Sequence, residues 1–382
     1  MDYVNYATEL MKKLVSIPSE SQNEKDIADF LFDLLNEIGM SVELQHVEGK
    51  SYNVVARLQG EDKGGGHRKL LLGGHIDTVK PDKAWTFDPL HVKEEDGRFY
   101  GLGCGDMKGG LASQIAVIKK WIDEGKSFDG EIELVGFCDE ERHSIGAQEY
   151  VRRCRLNGEK PADFGIFAEP HFHNIVVGAT GKILVKVDIE GSTCHAATPE
   201  MGINAVSSMA KFLAAVDEKY SALYQIGEAA SHSVLKIESP WEGYSLSVPD
   251  RCSCLINKQL SVKEKAEDFI EDLKIIFNNT ECGGTIQINR QIPFYSSYIM
   301  DKDNNDFKNL CDVISGEEME MPEFRVNQSV SDGNVMFSEL GIPVILYGPQ
   351  GVNFHKAGEY LEADTLAAYM NILEKFMNSF FK

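Results

Sequence analysis

The chain has 382 residues, 43% hydrophobic and 26% charged, with a formal net charge of −22 at pH 7. That length predicts two domains with packed cores, and the composition is ordinary for a globular protein. So acidic a balance argues against nucleic acid and anionic membranes as partners, which need basic patches, and suits a protein that holds cations.

An acidic surface serving only solubility competes with the cation reading for most of the 60 acidic residues. No apolar run approaches the length of a membrane-spanning helix. The start, Met1-Asp2-Tyr3-Val4-Asn5, has neither the basic nor the apolar region of a secretory leader. The 8 cysteines are scattered without a Cys-x-x-Cys pair, as in a reduced, cytoplasmic protein.

In chain order, Leu10, Leu14 and Val15 form a helical stripe that stops at Pro18. Ile27, Phe30, Leu31, Leu34, Leu35 and Ile38 form a second, with Gly39 placed to end it. Val42 to Val47 and Tyr52 to Leu58 alternate like strands, and Asp62 to Arg68 is a polar Gly-rich loop without phosphate-loop spacing. Leu70-Leu71-Leu72, bounded by Gly73-Gly74, predicts a buried parallel strand. His75 and Asp77 follow at its carboxyl end, where chemistry collects in open α/β sheets. On extended backbone both side chains face one way, so one imidazole nitrogen can bind a metal while Asp77 accepts a hydrogen bond from the other.

Gly101 to Gly110 is a glycine-rich loop carrying Asp106, followed by a helix with Leu111, Ile115, Ile118 and Ile122 on one face. Glu131 to Cys138 is a strand ending in Asp139-Glu140-Glu141. Phe164 to Ala168 ends in Glu169-Pro170, and Pro343 to Tyr347 leads to His355. Each such residue alone reads as a solvated loop group or a helix cap. Two histidines and several carboxylates converging on one sheet edge are harder to reach by accident.

Gly181 to about Arg290 has a different pattern. Strands are expected at Lys182 to Glu190, Ser233 to Ser239, Leu246 to Ile256 and Thr285 to Asn289, with helices at Asn204 to Lys219 and Glu264 to Phe277. This β-α-β-β-α-β order is ferredoxin-like. It predicts an insertion, 181–290, between the halves 1–180 and 291–382 of an α/β domain.

Six segments taken together resemble the M20 metallopeptidase family, which includes acetylornithine deacetylase, succinyl-diaminopimelate desuccinylase, aminoacylase and glutamate carboxypeptidase. They are Gly74-His75-Ile76-Asp77-Thr78, Gly103 to Gly110, Asp139-Glu140-Glu141, Ala168-Glu169-Pro170, Gly191 to Ala196 and His355 to Tyr360. The resemblance spans nearly the whole chain in the right order. It implies a zinc-peptidase catalytic domain, with a mixed sheet flanked by helices, and an inserted lid that serves dimerisation.

The resemblance also implies roles. One divalent ion would be held by His75, Asp106 and Glu169, and a second by Asp106, Glu141 and His355, about 3.5–4 Å apart. Zinc is the first choice, and Co²⁺ or Mn²⁺ suits the same donors. Glu140 would be the general base and Asp77 the partner of His75. His195 would be the lid histidine that reaches the other subunit's site. The substrate would be a small N-acyl amino acid or a short peptide; an inactive metal-binding homologue is a third possibility, disfavoured because every ligand and Glu140 are present. Glu169, rather than Asp, is commoner among the family's deacylases.

The substrate end departs from the pattern: Gln259 stands where the family carries an Arg that grips a substrate carboxylate. Lys258, Arg251 and Arg325 are the candidate replacements.

Overall fold

The computed structural model describes residues 1–61, 64, 67–225, 230–239, 242, 244–317 and 320–382. Its first helix, Tyr3–Val15, is opened by Asp2, whose carboxylate accepts from the N–H groups of Val4 and Asn5 at 3.1 Å each. Those are donors that a helix start leaves free. Ala7, Leu10, Met11, Leu14 and Val15 turn inward. The helix Gly109–Asp123 departs from the expected one-sided pattern, because everything from Gly109 to Ile118 is buried. It packs against both Tyr3–Val15 and the last helix, Ala363–Phe380, so no side of its first turns meets solvent.

The chain forms two compact units. The first comprises Met1–Gly178, Ile299–Asn327 and Ser331–Lys382, and the second Ala179–Tyr298 with Gln328–Val330. The sheet of the first unit is mixed. Its order is Ser41–Glu48, Ser51–Gln59, Gly130–Phe137, Arg68–His75, Phe164–Phe167, Val344–Leu346, Asn174–Ala179, Tyr298–Ile299, with Glu323–Asn327 also paired to Asn174–Ala179. Arg68–His75 runs parallel to both its neighbours, and Val344–Leu346 runs parallel to Phe164–Phe167. These four strands are almost wholly buried, which is why Leu70-Leu71-Leu72, Phe164–Phe167 and Val344–Leu346 read as apolar runs, while Glu133 of Gly130–Phe137 is buried against Lys69 at 2.7 Å. The helix Ile145–Asn157 and the strand Asn174–Ala179 are additions to the expected elements.

A small sheet joins distant segments. Gly351–Val352 pairs with Tyr360–Glu362, which pairs with Arg98–Tyr100 and so with Lys93–Glu95. It brings the loop around His355 to the stretch that leads into Gly101–Gly110.

The second unit is an antiparallel sheet in the order His232–Glu238, Arg251–Leu260, Gly181–Glu190, Thr285–Tyr295. Helices Ala205–Gln225 and Ala266–Asn279 bury Met209, Phe212, Val216, Phe269 and Leu273 with Ile183, Val185, Val187 and Ile256. Two strands differ from expectation. The one placed at Leu246 to Ile256 begins at Arg251 and runs to Leu260. Pro249 has no N–H for a ladder, and the segment before it bonds instead to the His195 loop, Val248 N–H to the Cys194 carbonyl and Ala196 N–H to that of Leu246, both at 2.8 Å. The last strand continues past Asn289 to Tyr295, with a register shift between Gln291 and Phe294 around Pro293. The expected Gly-rich loop at Asp62 to Arg68 includes 62, 63, 65 and 66, which lie outside the described residues; Arg68 already belongs to the strand. No helix among the described residues is long and apolar enough to cross a membrane.

Candidate metal centre

Register aligns the ends of the four parallel strands: His75 pairs with Phe137, Gly73 with Phe167, and Phe167 with Leu346. The chain leaves all four at one edge. There the polar residues follow: Asp77, Glu140 and Glu141, Glu169 and, after a short detour, His355.

His75 Nδ1 lies 2.9 Å from the backbone carbonyl of Asp77, and Nε2 lies 3.0 Å from Asp106 Oδ1. A carbonyl only accepts, so Nδ1 carries the proton and Nε2 faces the cluster. The Nδ1 hydrogen bond thus goes to the backbone carbonyl of Asp77, with the carboxylate of Asp77 at ion-pair distance. That carboxylate is 3.6 Å from Nδ1 and is also engaged elsewhere. It accepts from the N–H of Glu140 at 3.1 Å, the N–H of Glu141 at 3.2 Å and the Ser21 hydroxyl at 2.7 Å. The strand ends at His75, so the strict alternation that would put both side chains together is gone. Asp77 orients His75 through its backbone and the Glu140–Glu141 loop through its side chain.

One donor atom each from His75, Asp106 and Glu141 lie within 4.8 Å of one another. His355 Nε2 completes the group, 2.9 Å from Glu141 Oε2 and 3.4 Å from Asp106 Oδ2. Glu169 is partly buried beside them and acts electrostatically on Asp106, His75 and Glu141.

The electrostatics describe too much negative charge in too little water. Burial pushes Glu140 well above its ordinary range, with Asp332, Glu169 and Glu141 adding to the rise. Burial and the charge of Asp106 push Glu169 up to about 8. Burial would raise Asp106 too, but hydrogen bonds from His355 and His75 hold it below the usual carboxylate range. Its hydrogen bonds to Asp106 and Glu141 push His355 up to about 10. Like charges this close cannot all stay ionised without a proton or a cation among them. Imidazole nitrogens and carboxylate oxygens without thiolate suit Zn²⁺, Co²⁺ or Mn²⁺. Cys104 is buried with its thiol on the Phe99 carbonyl at 2.9 Å, a packing residue.

His195 belongs to the second unit, where it is exposed. Its Nδ1 accepts from the Ala197 N–H at 3.1 Å, which leaves the proton of the neutral ring on Nε2.

Of the three candidate carboxylate anchors, Lys258 is excluded. It is 0% exposed, and its ammonium is occupied by Glu264 Oε1 at 2.7 Å, the Ala230 carbonyl at 2.9 Å and the Gln259 carbonyl at 2.7 Å. Alternation along Arg251–Leu260 turns it toward the core with Ile256 and Leu260. Arg251 is exposed where that strand begins. Arg325 is exposed, pairs with Glu323 at 2.8 Å, and lies close enough to His171 to help lower its pKa below the ordinary value, after burial. His171 also feels the charge of Asp106. Gln259 Oε1 is buried without a hydrogen-bond partner.

Two buried carboxylates escape a search for strand-end ligands. Glu24 accepts from the Asp139 N–H at 3.1 Å and the Ser51 hydroxyl at 2.8 Å, steadying the loop that leads to Glu140. Glu359 does the same for the Asp106 loop.

Comparison with known proteins gives the family and the fold. The family model described as Peptidase family M20/M25/M40 matches residues 71–379. A probable succinyl-diaminopimelate desuccinylase of Staphylococcus aureus (strain MSSA476) is 26% identical over 402 residues, covering 96% of this chain and 95% of the relative. Aminopeptidase PepT from Bacillus cereus ATCC 10987 superposes with a TM-score of 0.79 at 21% identity, over 99% of both chains. A dinuclear metal binding peptidase from the M20 family of Bacillus subtilis superposes with a TM-score of 0.72 at 14% identity, over 99% of this chain and 98% of that one. With its sheet edge, its imidazole–carboxylate cluster and a family match over most of its length, this chain belongs to peptidase family M20 and is a metal-dependent hydrolase.

Proposed function

We propose that this protein is a dinuclear-metal amidohydrolase that removes the acyl group from an N-acyl amino acid or a related small amine, in the manner of a deacetylase or desuccinylase. The observation that carries it is the convergence of His75, Asp106, Glu141 and His355 donors at one sheet edge, with Glu140 beside them. His75, Asp106 and Glu169 would hold one divalent ion, zinc by preference, and Asp106, Glu141 and His355 the other. When bound, the pair lowers the pKa of water and polarises a carbonyl.

The chain's own residues supply the rest. Glu140 is anchored to Asp77 through its backbone N–H. Its carboxylate is thereby free to take a proton from the attacking water and deliver it to the leaving nitrogen. His195, with the proton on Nε2, donates to the oxyanion that develops on the scissile carbonyl. It would do so across a homodimer formed through a lid at 181–290. The edge strand His232–Glu238, with Leu235 and Ile237 each 57% exposed, supports pairing with a second copy. Arg325 is the cationic group proposed for a substrate carboxylate. Eight free cysteines support a cytoplasmic location.

The acyl substrate is favoured by the full-length relative named as a desuccinylase. The test is hydrolysis of N-acetyl, N-succinyl and dipeptide substrates with Zn²⁺, Co²⁺ or Mn²⁺. Turnover of acyl amino acids is expected. Turnover of dipeptides alone would make the protein a dipeptidase, and metal binding without turnover of any substrate would make it an inactive homologue. Co-expressed His195→Ala and Glu140→Gln chains test the dimer: mixed dimers should regain part of the activity. Verified mixed dimers that stay inactive would place His195 within its own subunit's chemistry or outside it altogether.

A further inference from the structure

Glu359 is 1% exposed, and its carboxylate accepts hydrogen bonds from backbone N–H groups. Oε2 accepts from the Gly103 N–H at 3.0 Å, and Oε1 accepts from the N–H groups of Gly105 at 3.0 Å and Asp106 at 3.1 Å. Three peptide N–H groups from four consecutive residues therefore converge on one side chain. Such a concavity of backbone donors is a ready anion site, and here the chain fills it with its own carboxylate.

The loop is shaped for this contact. Gly103 takes φ +75°, a left-handed conformation that favours glycine. A Cβ at Gly105 would stand 3.0 Å from Gly351 Cα and 3.4 Å from Glu359 Oε1. Asp106 has φ −114° and ψ 91°, so no helical hydrogen bond holds its N–H. The donor it offers Glu359 is part of what fixes the direction of its side chain.

Glu359 also sits four residues after His355, in the loop between Gly351–Val352 and Tyr360–Glu362. The backbone on either side is tied to the same region: the Gly101 N–H donates to the Glu359 carbonyl at 3.2 Å, and Tyr360 pairs with Tyr100. The carboxylate thus links the loop of Asp106 to the loop of His355, two groups that face each other at 3.4 Å.

We propose that Glu359 is a positioning residue of the metal centre, locking Asp106 to the loop that carries His355 and so setting the affinity for the ion those two share. This rests on the metal-centre reading above. Residues that orient ligands commonly change metal affinity by about 10–100-fold when altered.

The experiment is titration of metal-free protein with Co²⁺ or Zn²⁺, followed by calorimetry and by the visible absorption of Co²⁺. Glu359→Gln is the main variant. Its remaining oxygen can keep the Gly105 and Asp106 donors, while its NH₂ opposes the Gly103 N–H, so the fold is perturbed little and the clamp is loosened. Total affinity should fall about 10–100-fold. Phe376→Leu, a change in the core where the last helix packs on Phe164, controls for general loss of stability and should leave affinity unchanged at a comparable loss of Tm. Should Glu359→Gln fail to fold, Gly105→Ala presses a methyl against Gly351 and the carboxylate, and should weaken binding likewise with Glu359 intact. Wild-type protein that takes two ions beside a Glu359→Gln variant of equal affinity would overturn the positioning role alone. Wild-type protein that takes none would overturn the metal centre itself, and this role with it.

Discussion

The Lys258 pair of the second unit and the Asp106 cluster of the first bury charge in opposite ways. In the second unit Lys258 lies under the helices with three acceptors around its ammonium, and Glu264 completes its own set with the N–H groups of Ala230 at 3.0 Å and Ser261 at 2.8 Å. This buried pair is satisfied by its own partners, and none of its hydrogen bonds is left for a ligand. In the first unit Asp106, Glu140, Glu141 and Glu169 crowd together with Asp332 behind them, which burial pushes up to about 7. Two imidazoles are their main positive counterparts. A buried pair that satisfies itself serves the fold, whereas a buried excess of one sign costs stability unless a cation joins it. The difference separates the structural charge from the functional charge without reference to sequence motifs.

The sharpest way to break the comparison is to neutralise one group in each charge set, beginning with the carboxylates of the first unit. Glu140→Gln should lower kcat by at least about 10²-fold, the scale for a lost general base, with metal affinity nearly unchanged. Glu141→Gln should weaken metal binding instead. Near-wild-type turnover by Glu140→Gln would remove Glu140 from the proton path.

The counterpart in the second unit is Lys258→Met, which leaves Glu264 facing an apolar chain. Breaking a buried pair costs about 3 kcal/mol, read as a lower urea midpoint, and metal affinity should not move. The pair also predicts a pH signature. Burial opposes the ionised form of Glu264, but the Lys258 hydrogen bond prevails and holds its pKa below the ordinary 4.5. A depressed folded-state value means stability that is present above about 4.5 and lost as pH falls through the folded value. Lys258→Met should flatten that acid limb of the urea-midpoint profile; an unchanged limb would assign the acid sensitivity to other groups.

The smallest effect is expected at the rim. Arg325→Ala should raise KM for carboxylate-bearing substrates about fivefold, or about 1 kcal/mol, as fits an exposed charge. kcat should stay within a factor of two or so. An equal effect on substrates lacking a carboxylate would show that Arg325 does not read that group.

Much of the frame is local and so can be read along the chain. Leu70-Leu71-Leu72 and Phe164-Gly165-Ile166-Phe167 announce buried parallel strands because both of their faces are covered, and the polar residues after them are at the sheet edge by necessity. The inward turn of Lys258 is also written in the alternation Ile256, Lys258, Leu260, although a charged side chain invites an outward assignment. The helix Ile145–Asn157 is harder, since its arginines and glutamate blur the apolar stripe. Asp77 could not be settled from spacing, because its role changes with one residue's departure from extended backbone.

Sequence by itself determined which residues stand at the ends of strands, since hydrophobic periodicity and glycine punctuation act over a few neighbours. Tertiary structure alone decided how those residues are aimed. Glu359 takes its donors from residues 253–256 positions away, and Asp77 grips a loop 63–64 positions on. Hydrogen bonds at such separations depend on the register of strands and the closure of loops, and no local pattern encodes either.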